Sequence, residues 1–219
     1  MRLYEYESKK ILQAWGIPIP SGSLLASPEE IGEVGEVVLK AQVLTGGRQK
    51  AGGVLFAQGP AEARQQARQL FEAEIRGHRV ERLLMEAKVE VEREYFLGVT
   101  YHTSRKVPLV LFSRQGGVEV EAVAQRGAGG IFQRSFDLLE GFPEYRAREL
   151  LVEAGLKGEE LMKLVGPLQR MVALFLEMDA TLAEINPLAR TRDGRYLALD
   201  CHLEIEEDAL SRHPELESR

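Results

Sequence analysis

The chain has 219 residues, 44% of them hydrophobic, enough to bury a full core in one compact unit of two lobes. Its 34 acidic residues outnumber the 28 basic ones, and the net charge of -6 opposes broad attraction to a nucleic-acid backbone, so no nucleic-acid partner is expected. No stretch approaches the roughly 20 apolar residues that cross a bilayer. The start, MRLYEYESKK, offers no apolar signal-peptide segment, and the single Cys201 excludes an internal disulfide and the common zinc sites. No membrane partner is expected, and the cytoplasm is the expected location.

Residues 4–15 place Tyr4, Ile11, Leu12 and Trp15 on one helical face, and Gly16, Pro18 and Pro20 end that helix in an extended segment. Residues 36–43 (EVVLKAQV) and 54–58 (VLFAQ) read as strands around the glycine-rich TGGRQKAGG. Gly59-Pro60 then opens a polar helix to about Ile75, and residues 82–87, 94–101 and 107–113 follow as strands. That order suggests a mixed sheet with a helix against it, hence an α+β fold.

Beyond a glycine-rich passage at Gly127, Gly129 and Gly130, helices are expected over 144–154 and 158–178. The second keeps Leu161, Leu164, Val165, Leu168, Met171, Val172 and Phe175 in register. Pro167 lies inside that pattern, and a break or kink is expected at Gly166-Pro167. Strands over 181–186 and 196–201 join through Arg192-Asp193-Gly194, and the polar last dozen residues read as a loose tail.

The segment from Lys40 to Gly53 is the first candidate site. Lys40 at a strand end is a compact cation for phosphate oxygens, while Gly46, Gly47, Gly52 and Gly53 let backbone N–H groups approach those oxygens. The loop matches neither the P-loop nor the dinucleotide fingerprint, and taken alone a glycine-rich hairpin also reads as a plain turn. Glu184-Ile185-Asn186-Pro187 with Asp200 is the second. Glu184 and Asn186 share a strand face, and the turn at Asp193-Gly194 brings Asp200 alongside. Such a sparse oxygen set suits Mg²⁺ arriving with a nucleotide better than a calcium cage, a solvent-facing polar strand pair being the bland alternative. Glu86 and Glu94 form the third set, acceptors for an adenine amino group or ribose hydroxyls, or simply a solvated acidic turn with Glu90 and Glu92.

At these residues the sequence resembles the succinyl-CoA synthetase β-subunit family. The likeness runs through LYEYESKKIL, VVLKAQVLTGGRQKAGGV, LLMEAKVEVEREYFLGV, the QGGVEVEAVA segment and LAEINPLARTRDGRYLALD, in that order. The resemblance implies an ATP-grasp fold over 1–219, its lobes interleaved and the smaller at about 20–100, holding ATP or GTP between them. It implies the nucleoside-diphosphate-forming joining of a carboxylate to coenzyme A. It also implies a partner α subunit carrying the phosphohistidine and the CoA site. On this resemblance Lys40, Gly46, Gly47, Arg48, Glu86, Val89 and Glu94 match nucleotide-binding positions, and Asn186 and Asp200 match the Mg²⁺ ligands. Glu184 matches the glutamate that steadies the phosphohistidine, and Pro20 leans towards ATP. No acceptor is expected among His78, His102, His202 and His213.

The sequence departs from the family at Leu44, Thr45 and Gln49 in the loop, at His202 where a lysine is usual, and at Glu206-Glu207-Asp208-Ala209. The family's flavodoxin-like CoA-ligase domain is absent before Arg219, so a separate polypeptide supplying it is a second expected partner, unless the chain is a fragment. A related ligase for malate, citrate or another acid, and a nucleotide-binding assembly subunit without turnover, are the rival readings.

Overall fold

The computed structural model describes residues 1–117 and 130–216; the expected glycines Gly127 and Gly129 and most of QGGVEVEAVA lie outside them. The chain forms two compact units, one of Tyr4–Glu7 and Pro20–Glu90, the other of Met1–Leu3, Ser8–Ile19 and Val91–Arg219. Helix α1 (Glu5–Ala14) contributes to both. Its start is closed by Glu7, whose carboxylate accepts the backbone N–H of Tyr4 at 2.7 Å, half of a capping box.

In the smaller unit, strands β1 (Gly22–Leu25), β2 (Val37–Ala41) and β3 (Val54–Ala57) precede helix α2 (Pro60–Glu72). Short strands β4 (Glu74–Ile75) and β5 (His78–Arg79) follow, then β6 (Leu83–Ala87). The main sheet has the order β1-β6-β2-β3, antiparallel throughout. Alternation along β2 divides its residues. Val37, Leu39 and Ala41 join the core with Leu83, Met85 and the α2 residues Ala63, Ala67 and Leu70, spaced for one helical face. Val38 and Lys40 point to the opposite face, as do Leu84 and Glu86 on β6. Gly22 pairs with Glu86, and a Cβ there would come within 2.3 Å of the Met85 carbonyl oxygen, so only glycine lets β1 approach β6. Helix α2 ends three residues before the expected Ile75, because Arg76 (φ 51°) and Gly77 (φ 83°) make the two-residue turn of a β4–β5 hairpin.

The larger unit contains β7 (Val91–His102), β8 (Val107–Ser113), β9 (Phe132–Ser135), helices α3 (Glu144–Glu153) and α4 (Gly158–Glu177), and β10 (Ala180–Thr191), β11 (Tyr196–Ala198) and β12 (Cys201–Ile205). Its sheet runs β11-β10-β7-β8-β9, with β12 also paired to β10, and every pairing is antiparallel. The single mixed sheet expected from 36–113 is therefore two antiparallel sheets, since β7 pairs with β10, far along the chain, rather than with β6.

Two further expectations are corrected. Helix α4 continues through Pro167, which is buried, so the break expected at Gly166-Pro167 does not occur. Leu164, Leu168, Met171 and Phe175 flank it in the core, and their burial outweighs the lost hydrogen bond; a Leu168→Ala change would cost about 2–5 kcal/mol. The described part of the expected loose tail, to residue 216, forms 3₁₀ turns at Glu207–Arg212 and Pro214–Leu216. Ala209 is buried, and His213 Nε2 lies 2.9 Å from the carboxylate of Asp179, a tie that polarity alone does not reveal. No described helix is long and apolar enough to cross a membrane.

Candidate functional site

In the smaller unit, the strand alternation that separates Lys40 and Glu86 from the α2 core brings them together on the other face of the sheet. Lys40 Nζ lies 2.7 Å from Glu86 Oε2 and 3.0 Å from Glu5 Oε1, and Arg48 Nη2 lies 2.8 Å from Glu5 Oε2. All four side chains are exposed by a tenth or less, and among the described residues two cations meet two carboxylates. Charges this deep are tolerable only when paired with opposite charge, and Lys40 also donates a hydrogen bond to Glu5 Oε1. The reading of Glu86 as part of a solvated acidic turn is thereby corrected. Glu94 is exposed, and Val89 is half-buried in the link between β6 and β7.

The glycine-rich loop is a folded turn, anchored through Arg48. Its guanidinium donates to the Ala41 carbonyl at 3.3 Å, and its own carbonyl accepts the N–H groups of Gly53 at 2.8 Å and Ala51 at 3.1 Å. Gly47 has φ 67°, and a Cβ there would also come within 2.7 Å of Arg76 Nη2, so the turn requires glycine at that point. Gly46 precedes it on the exposed side of the loop.

In the larger unit, Glu184 and Asn186 lie half-buried on one face of β10, while Ala183 and Ile185 on the other face are fully buried in the core. Glu184 sits opposite Gly98 of β7 and His202 of β12. The strand expected over 196–201 is two strands, with Leu199 and Asp200 at the break. There the N–H of Asn186 donates to the Asp200 carbonyl at 2.9 Å and that of Leu199 to the Pro187 carbonyl at 3.0 Å. The expected alignment of Asp200 with Asn186 is thus realised. Asn186 Oδ1 accepts the N–H of Gly117 at 2.6 Å, and Asp200 Oδ1 accepts that of Cys201 at 2.8 Å. Among the described residues no group of three or more His, Cys, Asp or Glu side chains is placed to hold a metal.

Gly116 and Gly117 were quoted in the sequence only for likeness, yet they connect these groups. A Cβ on Gly116 would meet the Tyr95 carbonyl oxygen at 2.8 Å and Pro187 at 3.0 Å, and one on Gly117 would meet Glu94 Oε2 at 2.7 Å. The paired glycines therefore let this segment reach both Asn186 and Glu94. A cavity of about 380 Å³ opens here, lined by Arg93, Glu94, Tyr95, Arg114, Gln115 and Gly116. Burial, reinforced by a short hydrogen bond to Glu160, pushes the Tyr95 hydroxyl well above its ordinary range, so it stays a donor. The Glu160 charge in turn raises Arg93, whose Nη1 lies 3.1 Å from that carboxylate. Gly116, Gly117 and Glu5 are the residues of the candidate site that sequence reasoning missed; a Gly-Gly pair two intervening residues beyond a predicted strand was the available signal for the first two.

The ATP-grasp domain family matches residues 2–190. The chain is 40% identical over 216 residues to the ADP-forming succinate–CoA ligase β subunit of Methanocaldococcus jannaschii, covering 97% of this chain and 59% of that one. It is 38% identical over 221 residues to the GDP-forming β subunit of Thermus thermophilus, covering 99% of this chain and 58% of that one. The chain thus spans about three-fifths of the length of these relatives. Among solved structures, acetyl-coenzyme A synthetase 1 of Ca. Korarchaeum cryptofilum superposes with a TM-score of 0.70 at 21% identity, covering 94% of this chain and 93% of that one, a likeness of fold.

Proposed function

The chain belongs to the ATP-grasp domain family, and from that premise we propose that it is the nucleotide-binding component of an acid–CoA ligase of the succinyl-CoA synthetase type. In this reading it passes a phosphoryl group between ATP or GTP and a histidine of a partner α subunit, which also carries the CoA site. The observation that carries the reading is the likeness to succinate–CoA ligase β subunits along almost the whole chain.

The residues suit these roles chemically. Lys40 supplies positive charge for a transferring phosphoryl group, and Gly46 and Gly47 leave backbone N–H groups accessible to phosphate oxygens. Glu86, Val89 and Glu94 would border the base and ribose. Mg²⁺ fits the donor set of Asn186 Oδ1 and the Asp200 carboxylate, hard oxygen ligands of the kind it takes alongside water and phosphate. When bound, it would neutralise charge on the phosphates. Glu184, on the same strand face as Asn186, would accept a hydrogen bond from the partner's imidazole and hold that ring for transfer.

The test supplies γ-labelled ATP to the chain in complex with its phosphate-accepting partner. The expected result is an acid-labile, alkali-stable label on the partner's histidine. A label retained on this chain, or ATP hydrolysis with no labelled protein, contradicts the proposal.

A further inference from the structure

Glu5 lies between the strand lysine and the glycine loop. One oxygen of its carboxylate meets Lys40 Nζ at 3.0 Å and the other meets Arg48 Nη2 at 2.8 Å, and its side chain is 1% exposed. All three residues belong to the smaller unit. Arg48 in turn holds the loop, through its bond to the Ala41 carbonyl and the closure of Gly53 and Ala51 onto its own carbonyl. A continuous chain of ion pairs and hydrogen bonds therefore runs from the first turn of α1 to the backbone of the loop.

We infer that Glu5 is a positioning residue for the phosphates of the nucleotide: it fixes Lys40 and the loop in one arrangement before any ligand arrives. The inference rests on the nucleotide reading given above. Neutralising Lys40 does not require Glu5, because Glu86 already sits 2.7 Å from the same ammonium. Orientation is what a further acceptor adds, since an ammonium has three donors and each fixed acceptor restricts how it turns. The loop needs the same help. Glycine-rich backbone loses more freedom on ordering than any other, and an anchor that orders it in the folded state lowers what binding must supply.

Charge and positioning predict opposite signs for the same substitution. Glu5→Gln removes a negative charge beside two cations, so by charge alone it would tighten a polyphosphate. By positioning, it loosens Lys40 and the loop together and weakens that ligand. General damage to the unit would weaken a ligand lacking phosphates equally.

The test titrates ADP and adenosine into the full chain as wild type, as Glu5→Gln, as Arg48→Met, and as the double variant of the two, which removes one charge of each sign if a single variant fails to fold. Glu5→Gln is expected to weaken ADP by about tenfold or more, the scale of a lost hydrogen bond to a charged group, with adenosine unchanged. The double variant should lose no more than the larger of the Glu5→Gln and Arg48→Met single effects, because the two side chains act through one contact. Unchanged or tighter ADP binding, equal losses for ADP and adenosine, or additive losses in the double variant would overturn the role of Glu5. A wild-type chain that binds no ADP would instead remove the nucleotide reading itself, and this inference with it.

Discussion

Asn186 and Asp200 meet across the break between β11 and β12, where the N–H of Asn186 donates to the Asp200 carbonyl at 2.9 Å. That bond is made by backbone, so the side chain of Asp200 can be removed without breaking it. Asp200→Ala should lower Mg²⁺-dependent ADP affinity by about tenfold or more while the far-ultraviolet circular dichroism stays that of the wild type. Undiminished affinity in the folded variant would remove the metal assignment.

Glu184 shares its strand face with Asn186 but is assigned to the partner's histidine rather than to the nucleotide. Glu184→Gln should therefore leave ADP affinity within about twofold of wild type and slow phosphoryl transfer by about a hundredfold, the range of a lost preorganised contact at a charged centre. Rapid-quench transfer kinetics with the partner check it. Normal transfer would make Glu184 a structural residue.

Lys40 faces Glu5 and Glu86 in a setting exposed by less than a tenth. Lys40→Met removes the cation that meets both Glu5 and Glu86 and should destabilise the fold by about 3–5 kcal/mol. Adding Glu86→Gln restores the balance and should recover a large part of the loss. Urea unfolding midpoints measure both, and a double variant no more stable than the single one would contradict the pairing.

Asp179 holds the C-terminal turns through Arg212 and His213, and the hydrogen bond from Arg212, ahead of that from His213, lowers its pKa below the ordinary carboxylate value. A depressed carboxylate contributes stability that is complete above its unfolded pKa, about 3.9, and is lost as pH falls through the folded value. The melting temperature of Asp179→Asn should lie below wild type at neutral pH, and the gap should close as pH drops under about 4. A gap that is constant through that range would show that the tie is not electrostatic.

Local pattern made much of this legible. Alternation in EVVLKAQV and the glycine loop behind it led to Lys40, and the two-residue spacing of Glu184 and Asn186 with the turn at Asp193-Gly194 led to Asp200. What escaped was set by distant partners. Glu5 looks like an ordinary first-turn acid until Lys40, 35 residues away, is placed against it. Pro167 suggested a break because the burial that carries α4 through it comes from α3 and from strands elsewhere in the unit. Gly116 and Gly117 gain meaning only from Tyr95, Glu94 and Pro187, which approach them from other strands.

The central claim is that this chain binds a nucleotide together with Mg²⁺. Isothermal titration of ADP and ATP into the intact chain, each with and without Mg²⁺, tests it most directly. Binding is expected in about the micromolar range and should weaken by about tenfold or more when Mg²⁺ is withheld. Binding that is indifferent to Mg²⁺, or no heat with either nucleotide in either condition, would contradict it.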